Sequence, residues 1–114
     1  MRIALDAMGG DAAPRATVEG AVTAARELGL SVLLVGDRAR IEPELARHAT
    51  SGLDLESRHA TQSVAMDEAP TAALRKPDTS MAVALAAVRD GEAGAVVFAG
   101  NTGAGMVLGA HLLG

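Results

Sequence analysis

Strand-length runs alternate along this chain with stretches of helical spacing. Ile3–Leu5, Val32–Val35, Leu53–Glu56 and Ala95–Ala99 are the four candidate strands. Val32-Leu33-Leu34-Val35 is apolar at every position, as in a strand buried on both faces of a parallel sheet. Leu53-Asp54-Leu55-Glu56 alternates instead and reads as a weaker strand. Strand followed by helix four times over implies a parallel sheet, right-handed crossovers and helices on both faces. The expected fold is therefore α/β, a Rossmann-like parallel sheet with flanking helices.

Local signals place the helices. Pro14 suits a first helical turn, where its missing N–H costs nothing. Val18, Val22, Ala25 and Leu28 then recur at helical spacing, and Gly29 suits the stop. Asp37 is a candidate N-cap for a helix with Ile41 and Leu45 on its apolar side. Residues 60–79 are the least regular, with a short helix expected at Thr71–Arg75. A further helix starts at Ser80, with Met81, Leu85 and Val88 on one face and Gly91 after its end. A last helix turns Met106, Val107, Ala110 and Leu113 inward. Met66 and Met81 read as core. The chain stops at Gly114 with no closing element, which reads as a fragment of a larger protein.

Composition removes several classes of function. The 114 residues carry a net charge of −4 and one aromatic residue, Phe98. An acidic chain without stacking platforms is a poor nucleic-acid binder. With no cysteine, thiolate catalysis and cysteine-ligated metals are excluded. His48, His59 and His111 lack metal-ligand spacing, and His48 reads as a partner for a helix dipole. No metal site is expected. Met1-Arg2 leads directly into a strand rather than a leader, and no apolar run reaches the ~18 residues of a membrane span. The expected location is the cytoplasm.

Two glycine-rich loops follow candidate strands, where an open α/β sheet binds its ligands. The first is Asp6-Ala7-Met8-Gly9-Gly10-Asp11, the second Gly100-Asn101-Thr102-Gly103-Ala104-Gly105. Gly9 and Gly10 could aim bare N–H groups at a phosphate or carbonyl oxygen, or simply make a tight turn. Asn101 and Thr102 add side-chain donors, though Thr102 could equally be an N-cap. G-x-x-G-x-G is the wrong spacing for the dinucleotide fingerprint, and no G-K-[ST] follows either loop. An anion is indicated, a nucleotide is not. Arg75 and Lys76 precede a helix start with hydroxyls at Thr79 and Ser80, a cationic loop for phosphate or a solvated turn.

Met1-Arg2-Ile3-Ala4-Leu5-Asp6-Ala7-Met8-Gly9-Gly10-Asp11 resembles the start of the PlsX family of bacterial phosphate acyltransferases. Ala95-Val96-Val97-Phe98-Ala99-Gly100-Asn101-Thr102-Gly103-Ala104 is similar to a later run of the same family. Leu33-Leu34-Val35-Gly36-Asp37, Ile41-Glu42-Pro43-Glu44-Leu45 and Ser80-Met81-Ala82-Val83-Ala84-Leu85 agree as well. The resemblance implies a phosphotransacetylase-related fold, with residues 1–114 the N-terminal part of a single acyltransferase domain. It implies transfer of a fatty acyl group from acyl carrier protein to inorganic phosphate, without a cofactor. A homodimer lying peripherally on the membrane is implied too. Asp6, Asp11 and Asn101 become the catalytic candidates. Gly9, Gly10, Lys76, Ser80, Thr102 and Gly103 become the candidates for holding phosphate and the acyl carbonyl. Asp6 and Asp11 would fix loop geometry or orient a proton donor. The chain departs from the family at Ala12, where many members have His, and at Phe98, where a small residue is frequent. Its basic loop before Ser80 is slightly short. Family members are roughly three times this length. Two alternatives remain open, an inactive or merely phosphate-binding fragment and a phosphotransacetylase-like enzyme using acyl-coenzyme A.

Overall fold

A computed structural model describes residues 2–10, 12–63, 76 and 78–98. The elements run β1 (Arg2–Asp6), α1 (Arg15–Leu28), β2 (Ser31–Gly36), α2 (Arg38–Leu45), β3 (Leu55–His59), α3 (Ser80–Arg89) and β4 (Ala95–Val97). The four strands form one sheet in the order β3-β2-β1-β4, and every pairing is parallel. This is the expected α/β architecture.

β2 holds the centre. Val32 and Leu34 point to one side, into a cluster with Val18, Ala21 and Val22 of α1 and Ile41 of α2. Leu33 and Val35 point to the other, against Ala84 and Ala87 of α3. An uninterrupted apolar run is thus needed because both faces are covered. Alanines on α3 let that helix lie close to the sheet.

The helix ends follow their local chemistry. Asp37 caps α2, its carboxylate accepting from the Ala39 amide at 3.0 Å. Thr79 caps α3, its hydroxyl oxygen accepting from the Ala82 amide at 3.0 Å. Gly29 ends α1 at φ 66°, the left-handed conformation that favours glycine.

Two expectations need correction. Leu28 is not on the buried stripe of α1 but 71% exposed. The buried positions are Val18, Ala21, Val22 and Ala25. At about 100° per residue Leu28 lies about 70° from the centre of that stripe, on the helix's last turn. The third strand lies at Leu55–His59, not Leu53–Glu56. Its register against β2 runs from Val32 opposite Leu55 to Gly36 opposite His59. As an edge strand it satisfies polar groups locally. The Ser57 hydroxyl donates to Glu42 at 2.9 Å, Arg58 pairs with Glu92, and Arg2 of β1 reaches Glu56 at 2.7 Å. The expected helices at Thr71–Arg75 and Met106–Leu113, and the expected core residue Met66, lie outside the described residues.

Central burial and the exposed last turn of α1 make a paired prediction. Leu34→Ala is expected to cost about 2–5 kcal/mol in urea unfolding, and Leu28→Ala within about 0.5 kcal/mol of nothing. Equal losses would refute this placement of the core.

Candidate active site

β4 pairs with β1 on the side away from β2, so the winding of the sheet reverses between β1 and β4. In open α/β sheets the crevice at such a reversal, beyond the carboxyl ends of the strands, is where ligands bind. The loop after β1 starts there.

Asp6 ends β1 and is 4% exposed. Two residues after Ala4, it shares that residue's face of the sheet, the face covered by α3. Its Oδ1 accepts from the Met8 amide at 3.0 Å, an Asx-type turn. The Ser80 side chain at the start of α3 lies beside the same carboxyl. Burial raises the Asp6 pKa above its ordinary 3.8, while Ser80 and the Met8 amide oppose the rise. Through the Met8 amide the carboxyl braces the start of the loop.

The loop itself is tied on three sides. The Ala7 amide donates to the Val35 carbonyl at 2.9 Å, carrying the β1–β2 pairing one residue on. The Thr17 hydroxyl of α1 donates to the Ala7 carbonyl. Met8 lies over the end of β2 at Gly36. A Cβ added at Gly36 would come within 2.6 Å of Met8 Cγ and 2.8 Å of its Sδ. Gly36 is therefore the counterpart of Met8, a pairing the sequence motifs do not announce because one ends β2 and the other lies in the loop after β1. Gly10 has φ 91°, a conformation L side chains rarely adopt. The Gly9 amide is used within the turn, donating to the Asp6 carbonyl at 3.4 Å.

The other expected site residues divide. Ser80 is 1% exposed and packed against Asp6, with its amide on the Gln62 carbonyl at 2.9 Å. The Lys76 ammonium donates to the Ser63 carbonyl at 3.3 Å, at the foot of the excursion between β3 and α3. His59 is at the carboxyl end of β3, its Nδ1 accepting from the Arg38 amide at 3.3 Å. Asp11, Asn101, Thr102 and Gly103 lie outside the described residues. The structure thus brings together Asp6, Gly9, Gly10 and Ser80. Thr61, Gln62 and Asp78, which the sequence reading passed over, join the same end of the sheet through hydrogen bonds to one another. Among the described residues no group of three His, Asp or Glu is arranged to hold a metal ion. No described helix is long and apolar enough to cross a membrane.

Two measurements follow from this geometry. With its pKa raised, folded Asp6 holds its proton more tightly than unfolded Asp6. Between 3.8 and the higher folded value the folded state binds more protons. Stability contributed by Asp6 therefore falls as pH rises through that window and stays lower above it. Asp6→Asn carries no charge and is expected to lack this fall. Urea unfolding of both proteins from about pH 3 to about pH 8 checks it, and parallel profiles would contradict it. Gly36→Ala is expected to cost about 1–3 kcal/mol by crowding Met8. The cost should shrink in a Met8→Ala background, and strict additivity of the two changes would show that the side chains do not meet.

Comparisons with known proteins come down on one family. The family model described as "Fatty acid synthesis protein" matches residues 1–114. A protein of Geobacter sulfurreducens named phosphate acyltransferase is 53% identical over 114 residues, covering 99% of this chain and 33% of the relative. Proteins of the same name from Geobacter sp. strain M21 and Herpetosiphon aurantiacus are 54% and 52% identical. They cover 99% and 100% of this chain and 32% and 31% of those relatives. The chain thus spans about a third of the length of the relatives it matches. With its whole length matched, the chain belongs to the fatty acid synthesis protein family, whose phosphate acyltransferases its motifs resemble.

Proposed function

We propose that this chain is the N-terminal part of an enzyme that transfers a fatty acyl group from acyl carrier protein to inorganic phosphate, releasing acyl phosphate for phospholipid synthesis. One observation carries the reading. A glycine loop anchored by a buried carboxylate sits at the carboxyl end of β1, beside β4, in a chain whose relatives are named phosphate acyltransferases.

The chemistry asks for two things. An anionic nucleophile must be held against a thioester carbonyl, and the oxyanion that develops must meet prepared donors. A phosphate oxygen attacks the carbonyl carbon. The tetrahedral intermediate collapses, the C–S bond breaks and the thiolate leaves with the carrier. The Ala7, Met8 and Gly9 amides are spent within the fold, contrary to the expectation of a bare N–H at Gly9, so the Gly10 N–H and the donors of Asn101 and Thr102 are assigned both tasks. Asp6 holds the first loop in shape from beneath, and Asp11 orients a proton donor. Lys76 supplies positive charge for the phosphate. No redox step occurs, so no redox cofactor enters. In this reading the full-length enzyme is a homodimer in the cytoplasm, peripheral on the membrane to which its product's chain partitions.

Acyl carrier protein is favoured over coenzyme A as donor on the motif resemblance to the PlsX family, since the names of the relatives specify the phosphate acceptor and not the donor. The test is to trap acyl phosphate as the hydroxamate from acyl carrier protein and phosphate, with acyl-coenzyme A as competing donor. It is run on this chain and on the Geobacter sulfurreducens relative. Product from the carrier-bound donor is expected in the longer protein. Its Asn101-equivalent Ala variant should lose about 10²–10³ in kcat if that amide is an oxyanion donor. Product from acyl-coenzyme A alone would favour the phosphotransacetylase-like reading, and no product from either would overturn the proposal.

A further inference from the structure

The start of α3, which comes up to Asp6, is tied to the rest of the fold at one neck. The neck lies on the far side of the sheet's reversal, at the end of β3. There the Ala60 amide donates to the Gly36 carbonyl at 2.9 Å, carrying the β3 pairing past the strand's last residue. Thr61 and Gln62 then meet the chain again after an excursion of some 15 residues. Asp78 Oδ2 accepts from the Thr61 amide at 2.9 Å and from its hydroxyl at 2.6 Å. The Asp78 amide donates to Gln62 Oε1 at 3.3 Å, and the Gln62 amide to the Asp78 carbonyl at 3.1 Å. The Ser80 amide closes the clasp on the Gln62 carbonyl at 2.9 Å. Thr79, fully buried, caps α3 between these contacts.

We infer that Asp78 is a positioning residue for the site at Asp6: by clasping Thr61 it fixes the first turn of α3, and with it the Ser80 hydroxyl, against the carboxyl end of β1. The physical reason is the length of the excursion. Bringing together Gln62 and Asp78, 16 residues apart in sequence, carries an entropic cost that backbone pairing over only two residues meets poorly. A carboxylate taking two donors from one residue adds charge-assisted bonds at the neck. These bonds hold the Asp78 carboxyl below its ordinary value, so it stays ionised and accepting near neutrality. Among the described residues the hydrogen bonds of Asp78 go to Thr61 and Gln62, not to Asp6 or the loop after β1. Its effect passes through Thr79 and Ser80.

The carboxyl of Asp6 reports whether the clasp acts. Asp78→Ala opens the neck, lets α3 start further from β1 and admits water to Asp6. The Asp6 titration midpoint, read by carboxyl carbon NMR of the 114-residue chain, should move down toward the ordinary carboxylate range. Asp78→Asn removes the charge but keeps an oxygen that accepts from Thr61, and should leave the midpoint in place. Thr61→Val deletes the hydroxyl bond without changing any charge, and should move the midpoint as Asp78→Ala does. Equal movement in Asp78→Ala and Asp78→Asn would assign the effect to charge through space and overturn the inference. No movement in Asp78→Ala and Thr61→Val would overturn it as well. A second arm, which rests on the proposed anion site, titrates inorganic phosphate by phosphorus NMR. Phosphate should bind about tenfold more weakly to Asp78→Ala and unchanged to Asp78→Asn. If the unmodified chain binds no phosphate while the Asp6 pattern holds, the anion site falls and the clasp stands.

Discussion

The reversal of winding between β1 and β4 governs this structure. Had β4 added beside β3, every right-handed crossover would have put its helix on one face. Because β4 returns to the open side of β1, α1 and α2 cover one face and α3 the other. β2 is then sandwiched, and its apolar run follows from that. So does the position of the loop after β1, which opens into the crevice where the two directions of winding part. The start of α3 comes to the same crevice, since its crossover must pass from the end of β3 across β2 and β1 to reach β4.

That arrangement places a carboxylate where burial disfavours its charge. Asp6 faces α3 beneath the loop, with a raised pKa. A hydrophobic residue would fill the position at less cost in solvation. What the carboxyl supplies is acceptor oxygens, Oδ1 taking the Met8 amide, with the Ser80 side chain beside the group. It thereby joins the turn after β1 to the first turn of α3, two segments more than seventy residues apart. A buried polar group kept for such a join is worth more to geometry than to stability.

The sequence and the structure agree where one interaction range is enough. The double-faced burial of Val32–Val35 and the caps at Asp37 and Gly29 are set by neighbours within a few residues, and they read correctly. Leu28 misreads because helical spacing alone does not say where the covered stripe ends. Leu55–His59 misreads because an edge strand with Glu56, Ser57 and Arg58 shows no strong apolar alternation. Its register comes from β2, which local pattern cannot see. At the site, the glycines and Asp6 stand out by their motif. Gly36 does not, because its reason for being glycine is Met8, a residue from the loop after β1. Thr61 and Asp78 do not either, since a clasp between residues 17 apart has no periodicity.

Within Asp6-Ala7-Met8-Gly9-Gly10 each letter now has a separate physical cause. Asp6 turns the chain by taking the Met8 amide. Ala7 is fully buried against α1, where a larger side chain would meet Val18 and Leu34 of the same cluster. Met8 reaches across to the end of β2, into space that only a glycine at 36 leaves open. Gly9 closes the turn on the Asp6 carbonyl, and Gly10 takes the positive φ that releases the chain toward α1. A generic glycine turn needs only the last two. The first three anchor the turn to β2, α1 and α3 at once, and with the Ala7, Met8 and Gly9 amides used in that anchoring, a loop held on three sides can keep the Gly10 N–H in a fixed direction. Such a fixed direction is what distinguishes a loop prepared to meet an anion from one that merely reverses the chain.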